Sequence, residues 1–277
     1  MAIVVELTSY PVKGCAGVPV SEALLTDAGL RHDRSFMVIG EDGECRTQRR
    51  DPRLAVIRPA IDPDGTRLTL SAPGEGEVAI DVDTTSARRE VTLFHNPFLG
   101  IDQGDDAATW LSRALGAPSR LVRVPPEHDR VTEGWIPGTS GYADSAAVHL
   151  VSRASLDGLN QRIAEAGGAA LPMNRFRPGI VLDGWDEPHR EDRIRRIAIG
   201  GAELGFAKPT ARCVVTTVDQ VKGVKAGPEP LRTLAGYRRG PAGATLFGCQ
   251  FSVTRAGKLA VGDEVDVIEW DGPPPGE

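Results

Sequence analysis

The sequence predicts a mainly β protein with some α structure, an α+β chain in two β-rich units. Short runs alternate apolar and polar residues between Gly, Pro and Asp turns. Only two stretches hold a helical period. One Pro- and Gly-rich segment without period, residues 126–145, separates the halves as a linker or long loop. The expected layout is two β-rich units of barrel or sandwich architecture, over 1–125 and 146–270, with a disordered tail over 271–277.

In chain order, "RSFMVIG", the turn "EDGE" and "CRTQRR" predict a hairpin over 34–50, followed by a strand at 54–60. "TRLTLSA" places Leu68, Leu70 and Ala72 on one face, and "EVAIDV" returns Val78, Ile80 and Val82 at the same period of two. A strand at 91–95 precedes "DDAATWLSRALG". There Ala107, Trp110, Leu111, Ala114 and Leu115 form one helical stripe, with acids at its start and Gly116 as its stop. "SRASLDGLNQRIAEAGG" predicts the second helix, with Leu156, Leu159 and Ile163 inward and Ser152 or Ser155 as cap. Further strands are expected at 147–151, 179–183, 194–199, 202–207, 213–218, 249–254 and 259–269.

The chain has 277 residues and a formal charge of −6, which argues against nucleic acid as a partner. Lysine supplies only five of its 32 basic residues, the arginine bias of a GC-rich genome, so arginine position matters more than arginine count. No run of about 18 apolar residues predicts a membrane span, and no basic and apolar leader opens the chain. Four scattered cysteines without a CxxC pair fit a reducing cytoplasm and no zinc ribbon.

Four stretches are candidates for chemistry. Cys213, in "KPTARCVVTTVD", is either a small buried hydrophobe or a reactive thiolate. Lys208 and Arg212 favour the thiolate, and Pro209 is expected to end the strand before it. "YPVKGCAG" supplies Lys13 with Gly14 and Gly17. "GLRHDRSF" supplies Arg31, His32 and Arg34, and "NRFRPG" supplies Arg175 and Arg177. Basic residues recurring at strand entries predict an anionic, phosphate-like ligand beside Cys213. The chain holds no dinucleotide fingerprint, P-loop, HExxH or GxSxG motif, so reducing equivalents would come from elsewhere.

In chain order, "YPVKGCAG", "GLRHDRSFMV", "DGECRTQRRDPRL", "SRASLDGLNQRI", "RFRPGIVLDG" and "PTARCVVTTVDQVKG" with "EPLRTLAGYR" resemble the MOSC proteins. The specific branch carries an N-terminal MOSC β-barrel domain ahead of the MOSC domain. It includes the mitochondrial amidoxime-reducing component and the C-terminal region of molybdenum cofactor sulfurase. The resemblance implies a molybdenum–pterin cofactor (molybdopterin) with Cys213 as its metal ligand, a soft donor suited to that metal. It implies further that Lys13, Gly14, Arg34 and Arg177 hold the phosphate and pterin. Thr210 and Ala211 would bind the cofactor, Arg212 would flank the metal, and Ser152 and Arg153 would line the pterin pocket. Asp219 is a candidate to support the metal's surroundings or to handle protons, or else a structural hydrogen-bonding group.

The chain departs from relatives at Gly14, Gly179 and Ala211, where they carry polar side chains. Backbone N–H groups at Gly14 and Gly179 are the candidates to compensate. The implied function is reduction of small N-hydroxylated or related N–O compounds, with electrons from a separate flavin or iron–sulfur protein. The alternative is a sulfur carrier or cofactor-handling protein with a persulfide on Cys213.

Overall fold

Residues 1–271 are described by a computed structural model in which seven strands close into a barrel. Around the barrel they run Ala2–Ser9, Ile180–Asp183, Val148–Ser152, Thr245–Arg255, Ala202–Arg212, Ile194–Ile199 and Glu264–Trp270, which pairs back onto Ala2–Ser9. All neighbours are antiparallel except Val148–Ser152 with Ile180–Asp183. A parallel pair needs a crossover, and the helix Arg153–Glu165 supplies it.

The N-terminal strand is not legible as a strand, because its apolar residues miss a strict period of two. Val4 and Leu7 are three apart yet both buried. A register shift between Val4 and Glu6 reconciles them, since one extra residue turns the following side chains to the opposite face. They join Leu150, Ile180, Leu182, Ile197 and Phe251 in the barrel core. The barrel thus takes a strand from the start of the chain.

The other unit holds a four-stranded sheet (Arg88–Leu93, Asn96–Asp102, Arg120–Arg123, Phe36–Ile39) and a three-stranded sheet (Arg58–Ile61, Arg67–Ala72, Gly76–Asp81). Helix Asp105–Leu115 buries Ala107, Trp110, Leu111 and Ala114 with Leu68, Leu70 and Ile80, as its stripe predicts, and ends at left-handed Gly116. Residues 126–145 form a long segment containing a two-stranded ladder, Val131–Thr132 with Gly138–Thr139. Trp135 N donates to Ala207 O at 2.7 Å, which lays the segment along the barrel.

Several expectations are corrected. The strand predicted over 213–218 is a 3-10 turn, Val214–Thr217. Its β-branched residues suggest a strand, but Thr216 Oγ1 donates to Cys213 O at 2.9 Å and Thr217 Oγ1 to Val214 O at 2.8 Å, offering the backbone a tighter alternative. Pro209 does not end the preceding strand, which runs eleven residues to Arg212. It sits where the pairing register shifts between Pro209 and Ala211, the kind of irregularity that tolerates a residue without an N–H. The stretch predicted as a strand at 54–60 begins as the 3-10 turn Pro52–Val56. A short helix, Leu231–Tyr237, stands where the sequence shows no sustained helical period. Of the tail expected at 271–277, residues 272–277 lie outside the described residues.

Candidate active site

A cleft of about 170 Å3 opens where the barrel meets the other unit. The other unit contributes Lys13, Gly14, Arg34 and residues 46–49, the linking segment and its approach to the barrel contribute 143–147, and the barrel contributes His149, Phe176, Arg177 and Thr210 to Cys213. Residues as distant in sequence as Lys13 and Cys213 thus share one cleft, because the strand Ala202–Arg212 delivers its last three residues and Cys213 to the mouth. Cys213 stands at the exit of that strand, not at the entry of one, and caps the 3-10 turn that follows.

Cys213 differs from the other cysteines in its setting. Cys15, Cys45 and Cys249 are buried, whereas Cys213 is partly exposed in the cleft. Burial pushes the Cys15 thiol up to about 12 and Cys45 up to about 11, and drives Cys249 well above its ordinary value. Those three thiols stay protonated at neutral pH, which leaves Cys213 as the accessible thiol of the cleft.

The basic residues converge around it. Lys13 Nζ donates to Tyr142 O at 2.9 Å and pairs with the Asp144 carboxylate at the cleft edge. Desolvation opposes ionisation of Asp144, but the charge and hydrogen bond of Lys13, with the Arg34 and Arg49 charges, together outweigh it and hold the carboxyl below its usual range. Arg34 pairs with buried Asp33, whose carboxylate also accepts from Tyr10 N at 2.6 Å. Arg177 donates to a neutral partner, Gln220 Oε1 at 3.1 Å, and burial lowers its pKa. Arg34 and Arg177 lie on the Tyr10 ring, 4.4 and 4.3 Å from its centroid.

Both arginines also carry left-handed backbone, φ 46° at Arg34 and φ 54° at Arg177. Such conformations cost non-glycine residues on the order of 1–2 kcal/mol, so the surrounding hydrogen bonds hold them. Arg34 N donates to Tyr10 O and Arg34 O accepts from Tyr142 N, each at 2.8 Å. No periodicity reveals this strain; a sequence shows only the arginines.

Arg212 adjoins Cys213 in the cleft. Its Nη2 donates to Phe176 O at 2.8 Å, its Nη1 lies 3.4 Å from His149 Nε2, and its Nε is buried without a partner among the described residues. Burial lowers its pKa to about 10 despite the opposing pull of Cys213. Burial and then the Arg212 charge drive His149 well below its ordinary value, so its ring is neutral and can accept from the guanidinium. Thr210 Oγ1 is likewise buried and unpartnered among the described residues. Two orphaned polar atoms and an excess of cations fit a polyanionic ligand beside the thiol, and so fit a phosphorylated pterin cofactor bearing a soft metal.

Not every predicted site residue arrives. Ser152 is the buried N-cap of the crossover helix, its Oγ donating to Glu191 Oε2 at 2.8 Å. Arg153 points to Asp183 and Glu6 at 3.1 and 3.5 Å. Neither lines the cleft: the helix they open lies on the outer side of the barrel crossover. Asp219 accepts from Val221 N and Lys222 N at 2.9 and 3.0 Å, which makes it a turn former. Gly179 cannot lend its N–H to an anion, because that group donates to His149 O at 2.8 Å. Gly14 lines the cleft at φ 80°, and its carbonyl accepts from Gln48 Nε2 at 2.6 Å.

Sequence reasoning misses Tyr10, Gln48, Asp144 and His149. "TQRR" holds Gln48 and Arg49 in one short polar run after a strand, which is the available signal. His149 has none, since it sits inside an apolar strand.

Two family models match the chain: the MOSC N-terminal beta barrel domain over residues 1–118 and the MOSC domain over 137–266. The mitochondrial amidoxime reducing component 2 of Rattus norvegicus is 36% identical over 278 residues, covering 92% of this chain and 80% of that protein. The mitochondrial amidoxime-reducing component 1 of Homo sapiens is 35% identical, covering 96% and 82%. The molybdenum cofactor sulfurase of Danio rerio is 29% identical over 85% of this chain but only 30% of its own length. With its closed barrel and its matches running almost end to end, the chain belongs to the MOSC-domain proteins that carry the N-terminal MOSC β-barrel domain, the family of the amidoxime-reducing components.

Proposed function

We propose that this chain is a molybdenum-cofactor-binding reductase of small N-hydroxylated and related N–O compounds. The observation that carries the reading is the meeting, in a single cleft, of one accessible cysteine with Arg177 and Arg212, two half-buried guanidinium groups that pair with no carboxylate among the described residues. The chain's relation to amidoxime-reducing components supports the substrate class.

In this reading Lys13, Arg34 and Arg177 hold the phosphate and pterin, and the Tyr10 ring keeps two of their guanidinium groups in place. Arg212 offers its unpaired Nε, and Thr210 Oγ1 is a second donor. The Cys213 thiolate is the protein's ligand to the metal. Phe176, stacked on Phe247 with centroids 4.0 Å apart, and Phe94 give the cleft apolar walls that limit water. Neutral His149 accepts from Arg212 and carries no charge of its own into the site.

When bound, the cofactor supplies two-electron removal of oxygen from nitrogen, the hard step that the protein only orients. Two electrons and two protons convert each N-hydroxyl group to N–H and water, and a separate flavin or iron–sulfur protein provides the electrons. The test is turnover of hydroxylamine-type substrates driven by reduced viologen, which bypasses the donor protein. Activity that disappears in Cys213→Ser supports the reading. Metal-replete protein that is inactive on several N–O substrates, yet bears cyanide-releasable sulfur on Cys213, would replace it with sulfur transfer.

A further inference from the structure

The turn that follows the Cys213 segment combines exposed apolar and cationic side chains. Strands Val218–Asp219 and Val224–Lys225 form a two-residue ladder that follows the Val214–Thr217 turn. Val221 and Val224 on this ladder, and Val214 beside Cys213, are 73%, 49% and 46% exposed. Lys222 and Lys225 are exposed beside them, so two of the chain's five lysines fall in this one turn, in a protein of net charge −6. The neighbouring acids are engaged: Asp219 folds back onto Val221 N and Lys222 N, and Glu229 Oε1 accepts from Arg232 at 2.7 Å.

The turn is also built to hold its shape. Gly223, at φ 65°, packs on Arg53 Cα and Pro52 O, where a Cβ would sit 3.3 and 3.4 Å from those atoms. Gln220 donates to Gln48 Oε1 at 2.8 Å and accepts from Arg177 at 3.1 Å, which ties the ladder to two cleft-lining residues. Exposed valines beside two lysines, on a turn tied through Gln220 to cleft-lining Gln48 and Arg177, suit a transient contact: the valines exclude water and the lysines choose the partner's charge.

From this we infer that Val214, Val221, Lys222, Val224 and Lys225 form the docking surface for a small acidic electron-carrier protein that reduces the cleft. The inference rests on the proposed reductase function. The lysines steer encounter with an acidic face in an otherwise acidic molecule, and the valines, with Val214 next to Cys213 in the chain, provide the water-free contact.

The test uses the whole, cofactor-loaded chain and an acidic plant-type [2Fe–2S] ferredoxin as the probe. Binding is measured by titration at low and high salt, and turnover with reduced ferredoxin is compared with turnover by reduced viologen. The double variant Lys222→Glu/Lys225→Glu is expected to weaken ferredoxin binding and raise its KM at least about tenfold, with viologen turnover unchanged. Lys258→Glu serves as the control. Its carbonyl accepts from Gly201 N, at the far end of the eleven-residue strand from Cys213, and the variant should alter neither readout. Wild-type protein that binds the ferredoxin without salt dependence or not at all, or a double variant that binds like wild type, overturns the docking surface. Absence of viologen turnover in the wild type would instead remove the reductase reading, and the binding titration still decides the surface.

Discussion

Arg177 lies against Tyr10, its Cζ 4.3 Å from the ring centroid, with Arg34 at 4.4 Å from the same ring. Two like charges share one aromatic ring, so their mutual repulsion is offset by the ring and, at Arg34, by buried Asp33. Tyr10→Leu should therefore loosen both forks. At about 0.5–2 kcal/mol for each cation–π contact, cofactor retention should fall on the order of tenfold. Tyr10→Phe keeps the ring and loses only the hydroxyl's bond to Pro178 O at 3.2 Å, so it should retain cofactor nearly as wild type does. Released pterin, measured by fluorescence after dialysis, checks both.

Arg177→Lys should rescue cofactor content only partly relative to Arg177→Ala. A charged hydrogen bond contributes roughly 1.5–3 kcal/mol, and an ammonium cannot form the two parallel bonds of a guanidinium. Equal pterin content in wild type, Arg177→Lys and Arg177→Ala would contradict the anion-holding role.

His189 gives a pH prediction separate from the cleft. Burial, then the nearby Arg238 charge, lowers its pKa from 6.5 to about 4. Between those values the unfolded chain binds a proton that the folded chain refuses, so stability falls as pH drops from about 6.5 toward 4. Through this group alone, with its partial exposure allowed for, the protein should be about 1–2 kcal/mol less stable at pH 5 than at pH 7. Thermal unfolding of wild type and His189→Gln at both pH values measures it: the variant should lose less Tm on acidification. An equal loss would show that His189 titrates normally.

Asp219→Asn should leave viologen-driven turnover within about twofold of wild type. The side chain is spent on two turn N–H groups, and an amide oxygen can still accept both. A large loss of turnover at unchanged cofactor content would return Asp219 to the chemistry.

The fold class is legible because strand and helix periods are local properties: the stripe of Ala107, Trp110, Leu111 and Ala114 lies buried as its spacing requires. The strand Ala2–Ser9 is not, because the bulge that puts Val4 and Leu7 on one face breaks the pattern that reveals strands. The Val214–Thr217 turn is hidden for a similar reason, its β-branched residues being held by their own hydroxyls. At the site, Lys13, Arg34, Arg177, Arg212 and Cys213 converge on one cleft. Ser152 and Arg153 fall outside it, since family position does not say which way a helix cap faces. Tyr10 and His149 act through packing on distant guanidinium groups, and such contacts leave no trace in local sequence.

Metal content decides whether Cys213 holds a molybdenum cofactor in this cleft. Protein made in a cofactor-producing host should contain about one molybdenum per chain by elemental analysis. Cys213→Ser should lose it, while Cys15→Ser, Cys45→Ser and Cys249→Ser, at buried positions, should keep it. Stoichiometric molybdenum in Cys213→Ser, or none in the wild type, would contradict the account.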